Sequence, residues 1–246
     1  MYKQAIILAA GKGSRLSPLT DNLPKPLVKV NDEPIIFNAL ENLEKIGARE
    51  VYVVIGYLHE VFQLQIGNKF NSLNIHYVLN KDYATTNSMY SLWLGLKSLG
   101  DIDNTLILEG DVFFEKKTLE NIPASSIYWF GDSSITAQDG CYLKTKNNKV
   151  KEIKIYKKSE LKEQKGYKFL KSAGILAINK ESINGVIDIL EKGISENKTN
   201  LYYDLIFADN LNTLDISVID IQGKKWFEID STEDLLVCEK IFNATI

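Results

Sequence analysis

The sequence contains few of the residues that bind structural metal ions or form disulfides. Two cysteines, Cys141 and Cys238, and two histidines occur among its 246 residues, and no Cys-x-x-Cys motif is present. Zinc sites need clusters of such side chains, and disulfide-rich secreted proteins need paired cysteines. We therefore expect neither a zinc site nor a disulfide framework, and the cysteine usage favours the reducing cytoplasm.

The sequence also lacks an excess of positive charge and a long apolar segment. Lysine and arginine number 29 against 32 acidic residues, a formal net charge of −3, and no basic block stands out. Nucleic-acid-binding proteins usually carry a basic patch, so we expect no nucleic-acid partner. The apolar run Ala5–Ala10 is too short for a signal-peptide core or a membrane span. We accordingly expect no membrane partner.

No internal repeat, low-complexity tract or linker rich in proline, glycine or serine divides the chain. A chain of 246 residues with 45% hydrophobic content can bury one large core. We predict a single domain over 1–246, built from two halves, 1–114 and 115–246, because the pattern of elements changes after Asp111.

In the first half, short β-branched segments alternate with segments of helical period. Buried strands are predicted at Ala5–Leu8, Val51–Ile55, Ile75–Leu79 and Thr105–Leu108. Helices are predicted for "PIIFNALENLEKIG", from Pro34 as a first helical residue to Gly47 as the stop, and for "NSMYSLWLGLKSLG", with Asn87 or Ser88 as the cap. Strands joined through helices indicate an α/β fold with a three-layer, Rossmann-like, mostly parallel mixed sheet.

The second half has a different pattern. The segments "SIYWF", "CYLKT", "KVKEIKIY" and "SAGILAI", all within 127–178, predict a small β region added at one edge of the sheet. Helical patterns return at Lys180–Lys192, Tyr202–Leu211 and Thr232–Phe242, with a strand pair near 214–229.

Two glycines, Gly11 and Gly13, follow the first predicted strand. In an open parallel sheet, ligands bind beyond the carboxyl ends of the strands, and glycine lets backbone N–H groups approach an anion. Arg15 and Lys25 could then neutralise a polyphosphate. A dinucleotide-type G-x-G-x-x-G would need glycine at Leu16, and a Walker P-loop needs a different spacing. A glycine-rich turn with solvated charges is the alternative.

The stretch "LAAGKGSRLSPLTDNLPKP" resembles the signature of the nucleotidyltransferases that join an NTP to a phosphorylated sugar or alcohol. Four further blocks resemble the phosphocholine cytidylyltransferase branch found in bacterial surface-polymer pathways: "VIGYLHEVF", "NKDYATTNSMYSLWLGL", "LILEGDVFF" and "WFEIDSTEDLLVCEKIF". These blocks span nearly the whole chain, and residues 115–170 are the least similar part.

The resemblance implies transfer of CMP from CTP to a small acceptor, with release of pyrophosphate. Phosphocholine, aminoethylphosphonate and phosphoglutamine are the acceptors in view. The first half would bind the nucleotide. The second half would bind the acceptor and would also contribute a strand that carries metal ligands to the site. Alternatives are a UTP- or dTTP-dependent sugar-1-phosphate nucleotidyltransferase and a non-catalytic regulatory module of the same fold, whereas a nicotinamide dehydrogenase is disfavoured by the missing third glycine. The expected assembly is a monomer or a homodimer, and the expected pathway is cell-surface polysaccharide biosynthesis.

A magnesium site is also implied by the resemblance. Asp111 follows the predicted strand Thr105–Leu108, and Glu228 and Asp230 alternate in a late strand, so their side chains would share a face. Mg²⁺ accepts such carboxylates together with phosphate oxygens. The alternative for Asp111 is a turn residue. Asp230 stands in "DSTED", and the alternative there is a helix start with a capping box.

The residues expected to bind the nucleotide are Leu8, Ala10, Gly11, Gly13, Ser14, Arg15, Lys25, Thr86, Asn87, Ser88 and Asp111. Of these, Arg15, Lys25 and Asp111 are the expected catalytic residues. The Asn87 amide can hydrogen-bond the N3/N4 edge of cytosine, although Asn87 and Ser88 are both good helix caps.

For the acceptor, the expected residues are Trp129, Lys154, Tyr156, Tyr202 and Trp226. Aromatic faces bind quaternary ammonium groups, and a lysine could meet the acceptor phosphate. The alternative is that the aromatic rings pack the core and that the lysine lies at a solvated strand end.

Overall fold

The computed structural model describes residues 1–136, 138–162 and 164–243. The last residues of the predicted domain, 244–246, lie outside the described part, as do positions 137 and 163.

In the described ranges the strands form one large sheet and two short two-stranded sheets. In chain order they are β1 (Gln4–Ala9), β2 (Lys29–Val30), β3 (Glu33–Pro34), β4 (Glu50–Ile55), β5 (Lys69–Phe70), β6 (Leu73–Leu79), β7 (Thr105–Glu109), β8 (Val112–Phe114), β9 (Ile127–Asp132), β10 (Gly140–Lys146), β11 (Lys149–Tyr156), β12 (Lys168–Ile178), β13 (Ile216–Asp220) and β14 (Trp226–Glu228).

The helices cover both faces of the main sheet. They are α1 (Ile35–Lys45), α2 (His59–Ile66), α3 (Ser88–Lys97), α4 (Lys180–Ser195), α5 (Tyr203–Ala208) and α6 (Thr232–Asn243). Single 3-10 turns occur at Ser14–Leu16, Lys25–Leu27, Lys116–Leu119 and Lys158–Glu160.

The main sheet has the strand order β10-β11-β13-β9-β12-β7-β1-β4-β6-β5. Strand β1 lies parallel to β4 and β7, and β4 lies parallel to β6. The carboxyl ends of these strands therefore meet at one edge, directly before the loops that carry the predicted nucleotide-binding residues. The predicted α/β fold with a mostly parallel mixed sheet is confirmed.

The second half extends this same sheet. Strand β12 runs antiparallel to both β7 and β9, and β10 and β11 form an antiparallel pair at the far edge. The four β segments predicted within 127–178 are all present, as β9 to β12. Because β12 pairs with β7, the second half of the chain lies beside the strand that ends next to Asp111.

Alternation along β1 shows the three layers. Ile6 packs in the cluster that includes Leu92 of α3 and Leu190 of α4, whereas Ile7 packs in the cluster that includes Leu40 of α1 and Phe62 of α2. Both isoleucines are fully buried. Each such side chain contributes roughly 1.5–3 kcal/mol of burial free energy, so the sheet is held from both faces.

Three details differ from the sequence predictions. Pro34 precedes α1 and is not its first residue. The two strands expected as a pair near 214–229 do not pair with each other: β13 joins β9 in the main sheet, and β14 pairs with β8. Helix α2 was not predicted, because it is short and buries only Phe62 and Ile66.

Within the described ranges, no helix is both long and apolar enough to cross a membrane.

Candidate active site

A cavity of about 640 Å³ opens at the carboxyl ends of β1 and β7. All residues predicted to bind the nucleotide line this cavity, and so do the three predicted metal ligands, Asp111, Glu228 and Asp230. The topology explains the convergence, because the loops after parallel strands emerge at the same edge of the sheet.

The glycine loop has the geometry that its sequence suggests. Gly13 has a φ of 64°, and a Cβ atom built on it would lie 2.7 Å from Cβ of Lys25. A larger residue would thus be strained and would displace Lys25. At Gly11 an added Cβ would meet no atom within 4 Å, so this part of the loop has open space beside the cavity.

Lys25 joins the two acidic segments of the site. Its Nζ lies 2.7 Å from Oδ2 of Asp111 and 2.8 Å from Oδ1 of Asp230. Arg15 reaches the same Asp230 oxygen at 2.8 Å, but its side chain is 70% exposed against 11% for Lys25. Burial alone would lower the pKa of Lys25, and the carboxylates of Asp111 and Asp230 raise it above its ordinary value.

Asp230 does not cap helix α6. Asp234 accepts hydrogen bonds from the backbone N–H groups of Asp230 and Ser231, and Ser231 Oγ accepts one from Asp234 N–H. Ser231 and Asp234 thus form the capping box that the sequence allowed. Strand β14 ends at Glu228, so Asp230 stands beyond the strand and its carboxylate faces Lys25 and Arg15. Burial raises the pKa of Asp230, but these two cations outweigh it and hold the pKa below its ordinary value.

The donor set around Lys25 fits a divalent cation. Asp111 Oδ1 is buried and has no hydrogen-bond partner among the described residues, while Oδ2 contacts Lys25. Mg²⁺ commonly takes one or two protein carboxylates and completes its shell with water and phosphate oxygens. No group of three or more metal-ligating side chains is found in the described ranges. Glu228 instead contacts Lys171 Nζ at 3.2 Å.

A second group of acidic residues lines the same cavity, and sequence reasoning did not find it. Glu109, the last residue of β7, accepts a hydrogen bond of 2.6 Å from Tyr203 Oη, and Asp204 lies in the first turn of α5. Both carboxyl groups are buried beside Glu228 and Lys171. Burial, and then the neighbouring carboxylates, raise the pKa of Glu109 well above its ordinary value.

A local signal existed for one of these two acids. Glu109 precedes Gly110 and Asp111 at a strand end, where parallel strands present their ligand-binding residues. Asp204 gives no such signal, because it is a single acidic residue in a short helix.

Of the five residues predicted to bind the acceptor, the cavity is lined by Tyr202 alone. Trp129 is fully buried and donates from Nε1 to Ser172 Oγ at 2.9 Å, and Trp226 donates to Asp132 at 3.0 Å. Tyr156 packs against other aromatic rings, and Lys154 Nζ lies 4.9 Å from the centre of its ring. The three aromatic rings have the packing contacts that the sequence left open as the alternative, and Lys154 is exposed on its strand.

Asn87 and Ser88, both expected to bind the nucleotide, have structural contacts. Asn87 Oδ1 accepts a hydrogen bond from Ser88 N–H at 2.8 Å, which makes it the cap of α3. Ser88 Oγ accepts one from Tyr203 N–H at 3.1 Å, which connects α3 to α5. Both residues also line the cavity, so these contacts place the start of α3 beside it.

Comparison with known proteins gives consistent results. The family model described as nucleotidyl transferase matches residues 4–129, about half of the chain. The choline-phosphate cytidylyltransferase of Streptococcus pneumoniae is 29% identical over 97% of this chain and 97% of its own length. The 2-aminoethylphosphonate cytidylyltransferase of Lancefieldella rimae is 26% identical over 94% of this chain and 89% of its own. The solved structure of the Streptococcus pneumoniae CTP:phosphocholine cytidylyltransferase has a TM-score of 0.81 and 27% identity, and covers 98% of this chain and 100% of its own.

Proposed function

The chain belongs to the nucleotidyl transferase family, and on this premise we propose that it transfers CMP from CTP to a small phosphorylated or phosphonate acceptor, releasing pyrophosphate. The observation that carries the proposal is the position of Lys25, whose ammonium lies within 2.8 Å of both Asp111 and Asp230 beside the Gly11–Gly13 loop. This arrangement concentrates cationic and anionic groups where a triphosphate and its metal ion would meet.

The glycine loop and the two basic residues are suited to the triphosphate. Gly11 leaves its backbone open to the cavity, and Arg15 and Lys25 each supply a charged donor there. Both donors are paired with the Asp230 carboxylate. We infer that they turn to the phosphate oxygens when the nucleotide binds, and that they stabilise the charge developing on the leaving pyrophosphate.

Asp111 and Asp230 would hold the divalent cation, which we take to be Mg²⁺. When bound, the ion would neutralise phosphate charge and orient the α-phosphate for in-line displacement. Asp111 offers a buried oxygen without a hydrogen-bond partner in the described part of the chain. The lowered pKa of Asp230 keeps that carboxylate ionised at neutral pH.

The acceptor needs no general base. A phosphate or phosphonate oxygen is already anionic near neutral pH, so it can attack the α-phosphorus once the two groups are aligned. Of the described residues that line the cavity, none is a histidine, which agrees with this mechanism. The work of the protein is to align the reactants and to balance their charge.

CTP is proposed as the donor because full-length similarity runs to proteins named as cytidylyltransferases. The test is pyrophosphate release by the purified chain with each of CTP, UTP, dTTP, ATP and GTP, against phosphocholine, 2-aminoethylphosphonate, phosphoethanolamine, phosphoglutamine and glucose 1-phosphate. We expect kcat/KM to be highest for CTP with an amino-bearing or choline-bearing acceptor. A maximum for UTP or dTTP with glucose 1-phosphate would contradict the assignment.

We further propose that the enzyme acts in the cytoplasm in cell-surface polysaccharide biosynthesis, as a monomer or a homodimer. Both cysteines are free thiols, which supports a reducing compartment. Sedimentation of the purified chain tests the oligomeric state, and fractionation of the source cells tests the cytoplasmic location.

A further inference from the structure

The acceptor end of the cavity, which we define as Glu109, Cys141, Lys171, Asp204 and Glu228, is strongly acidic. Three carboxyl groups surround a single ammonium group, that of Lys171, which lies 3.2 Å from Glu228. Asp204 hydrogen-bonds with Cys141 and shares the charge of Lys171 with Glu228, whereas Glu109 has the hydroxyl of Tyr203 as its hydrogen-bond donor. Buried carboxylates are costly unless a cation or hydrogen-bond donors accompany them.

Asp204 carries the most specific signal. Its side chain lines the cavity, the residue is only 9% exposed, and Oδ1 is buried with no hydrogen-bond partner in the described part of the chain. An unsatisfied buried acceptor costs roughly 1–3 kcal/mol. A ligand that brings an N–H group to this oxygen would remove that cost.

The same region has little aromatic surface. Trp129, Tyr156 and Trp226 lie outside the cavity, and Tyr202, half exposed, is the aromatic ring near Asp204. The other aromatic ring among the described lining residues is Tyr83, which packs beside Gly56 near Ala10 at the nucleotide end. A quaternary ammonium group is best bound by several aromatic faces and has no N–H to offer.

We propose that the acceptor carries a primary ammonium group on a short chain beside its phosphate or phosphonate, and that Asp204 and Glu109 receive this ammonium. The inference rests on the proposed function and narrows its substrate class. A primary ammonium has three donors, enough for Asp204 Oδ1 and for the neighbouring carboxylates. A trimethylated ammonium would leave Oδ1 unpaired, and an acceptor with its own carboxylate would be repelled by the acidic group.

The test is a methylation series with CTP on the wild-type chain: phosphoethanolamine, its N-methyl and N,N-dimethyl forms, and phosphocholine, with 2-aminoethylphosphonate as the phosphonate form. We expect kcat/KM to fall along the series, by about 100-fold from the primary to the quaternary amine. Equal or higher kcat/KM for phosphocholine would overturn the inference while leaving the proposed function intact. Absence of pyrophosphate release with every acceptor would contradict the proposed function itself.

The variant Asp204→Asn tests whether Asp204 causes the preference for a primary amine. Asp204→Asn should lose about 100-fold in kcat/KM for the primary amine while its value for phosphocholine changes little, so that the slope of the series flattens. The matched control is Asp209→Asn at the other end of the same helix, where the exposed carboxylate contacts Lys198. Calorimetric titration of the acceptors without CTP gives a readout independent of turnover. If kcat/KM fell along the methylation series as steeply in Asp204→Asn as in the control variant, the role of Asp204 would be overturned.

Discussion

One ammonium group connects carboxylates that stand far apart in the sequence: Lys25 Nζ lies 2.7 Å from Asp111 Oδ2, and at 2.8 Å it also contacts Asp230. Asp111 follows a central strand, and Asp230 follows a strand near the end of the chain. The contact therefore ties the closing segment of the fold to the glycine loop at its beginning. It also places both carboxylates within reach of one cation.

The carboxylates themselves give the first prediction. Asp111→Asn and Asp230→Asn should each lower kcat by about 100-fold or more, because each removes an anionic ligand from the proposed metal site. Pyrophosphate release at saturating Mg²⁺ measures the loss, and circular dichroism checks the fold. Asp209→Asn is a control of equal chemistry outside the site. Turnover at the wild-type level in either variant would remove that residue from the metal site.

The two basic residues should differ in their effect on stability. Arg15→Ala and Lys25→Ala should both slow turnover, since each removes charge from the proposed phosphate site. The Arg15 side chain is 70% exposed, so its loss should leave the melting temperature nearly unchanged. Loss of Lys25 leaves Asp111 and Asp230 facing each other without their buried cation, and should lower the melting temperature by several degrees. Equal melting temperatures for the two variants would contradict this difference.

Substitution of two aromatic residues of the second half should distinguish a packing role from a role in binding the acceptor. Trp129→Phe should lower the free energy of unfolding, because Trp129 is fully buried and its Nε1 donates to Ser172. It should leave the order of acceptor preference unchanged. Tyr202→Ala should raise KM for the acceptor with little change in stability, since Tyr202 lines the cavity and is half exposed. If Trp129→Phe changed the order of acceptor preference, Trp129 would belong to the acceptor-binding site after all.

Asp204 should cost stability at neutral pH. Burial raises the pKa of Asp204 to about 6, from a model-peptide value of 3.8. Between these values the folded state holds more protons than the unfolded state, so the free energy of unfolding falls as pH rises through that window and stays lowered above it. The Asp204→Asn variant should not show this fall in the free energy of unfolding, because the asparagine side chain does not ionise.

Thermal melts without ligand check the effect. The Asp204→Asn variant should melt a few degrees above the wild type at pH 7.5, and the difference should disappear near pH 4. A difference independent of pH between these values would mean that the Asp204 carboxyl does not titrate as the buried environment requires.

The convergence of the expected nucleotide-binding residues on one cavity was predictable from sequence because their signals are local. Gly11, Gly13, Arg15 and Lys25 lie in one loop after one strand, and Asp111 follows a second strand parallel to the first. Once the strands are taken as parallel, their carboxyl ends must meet at one edge. Asp230 required the family resemblance, since the capping alternative could be resolved only by the structure.

The acceptor end was not predictable in this way. Asp204, Cys141 and Lys171 come from a helix and two strands whose pairing is not encoded in any short pattern. Trp129 stands in a strand that is buried on both faces, so alternation along the strand did not show whether its ring faced the core or the cavity. The resemblance to the phosphocholine branch and the aromatic residues together suggested a quaternary ammonium site, and the positions of the buried acids favour a primary amine.

The central claim, transfer of CMP to the acceptor, is tested most directly by identifying the product. The chain is incubated with CTP, Mg²⁺ and 2-aminoethylphosphonate, and the mixture is analysed by mass spectrometry alongside pyrophosphate release. The account predicts one CMP–acceptor adduct for each pyrophosphate, no adduct without the acceptor, and loss of both products in Asp111→Asn. Pyrophosphate without an adduct for any acceptor of the panel, or adduct formation that prefers UTP or dTTP with glucose 1-phosphate, would contradict it.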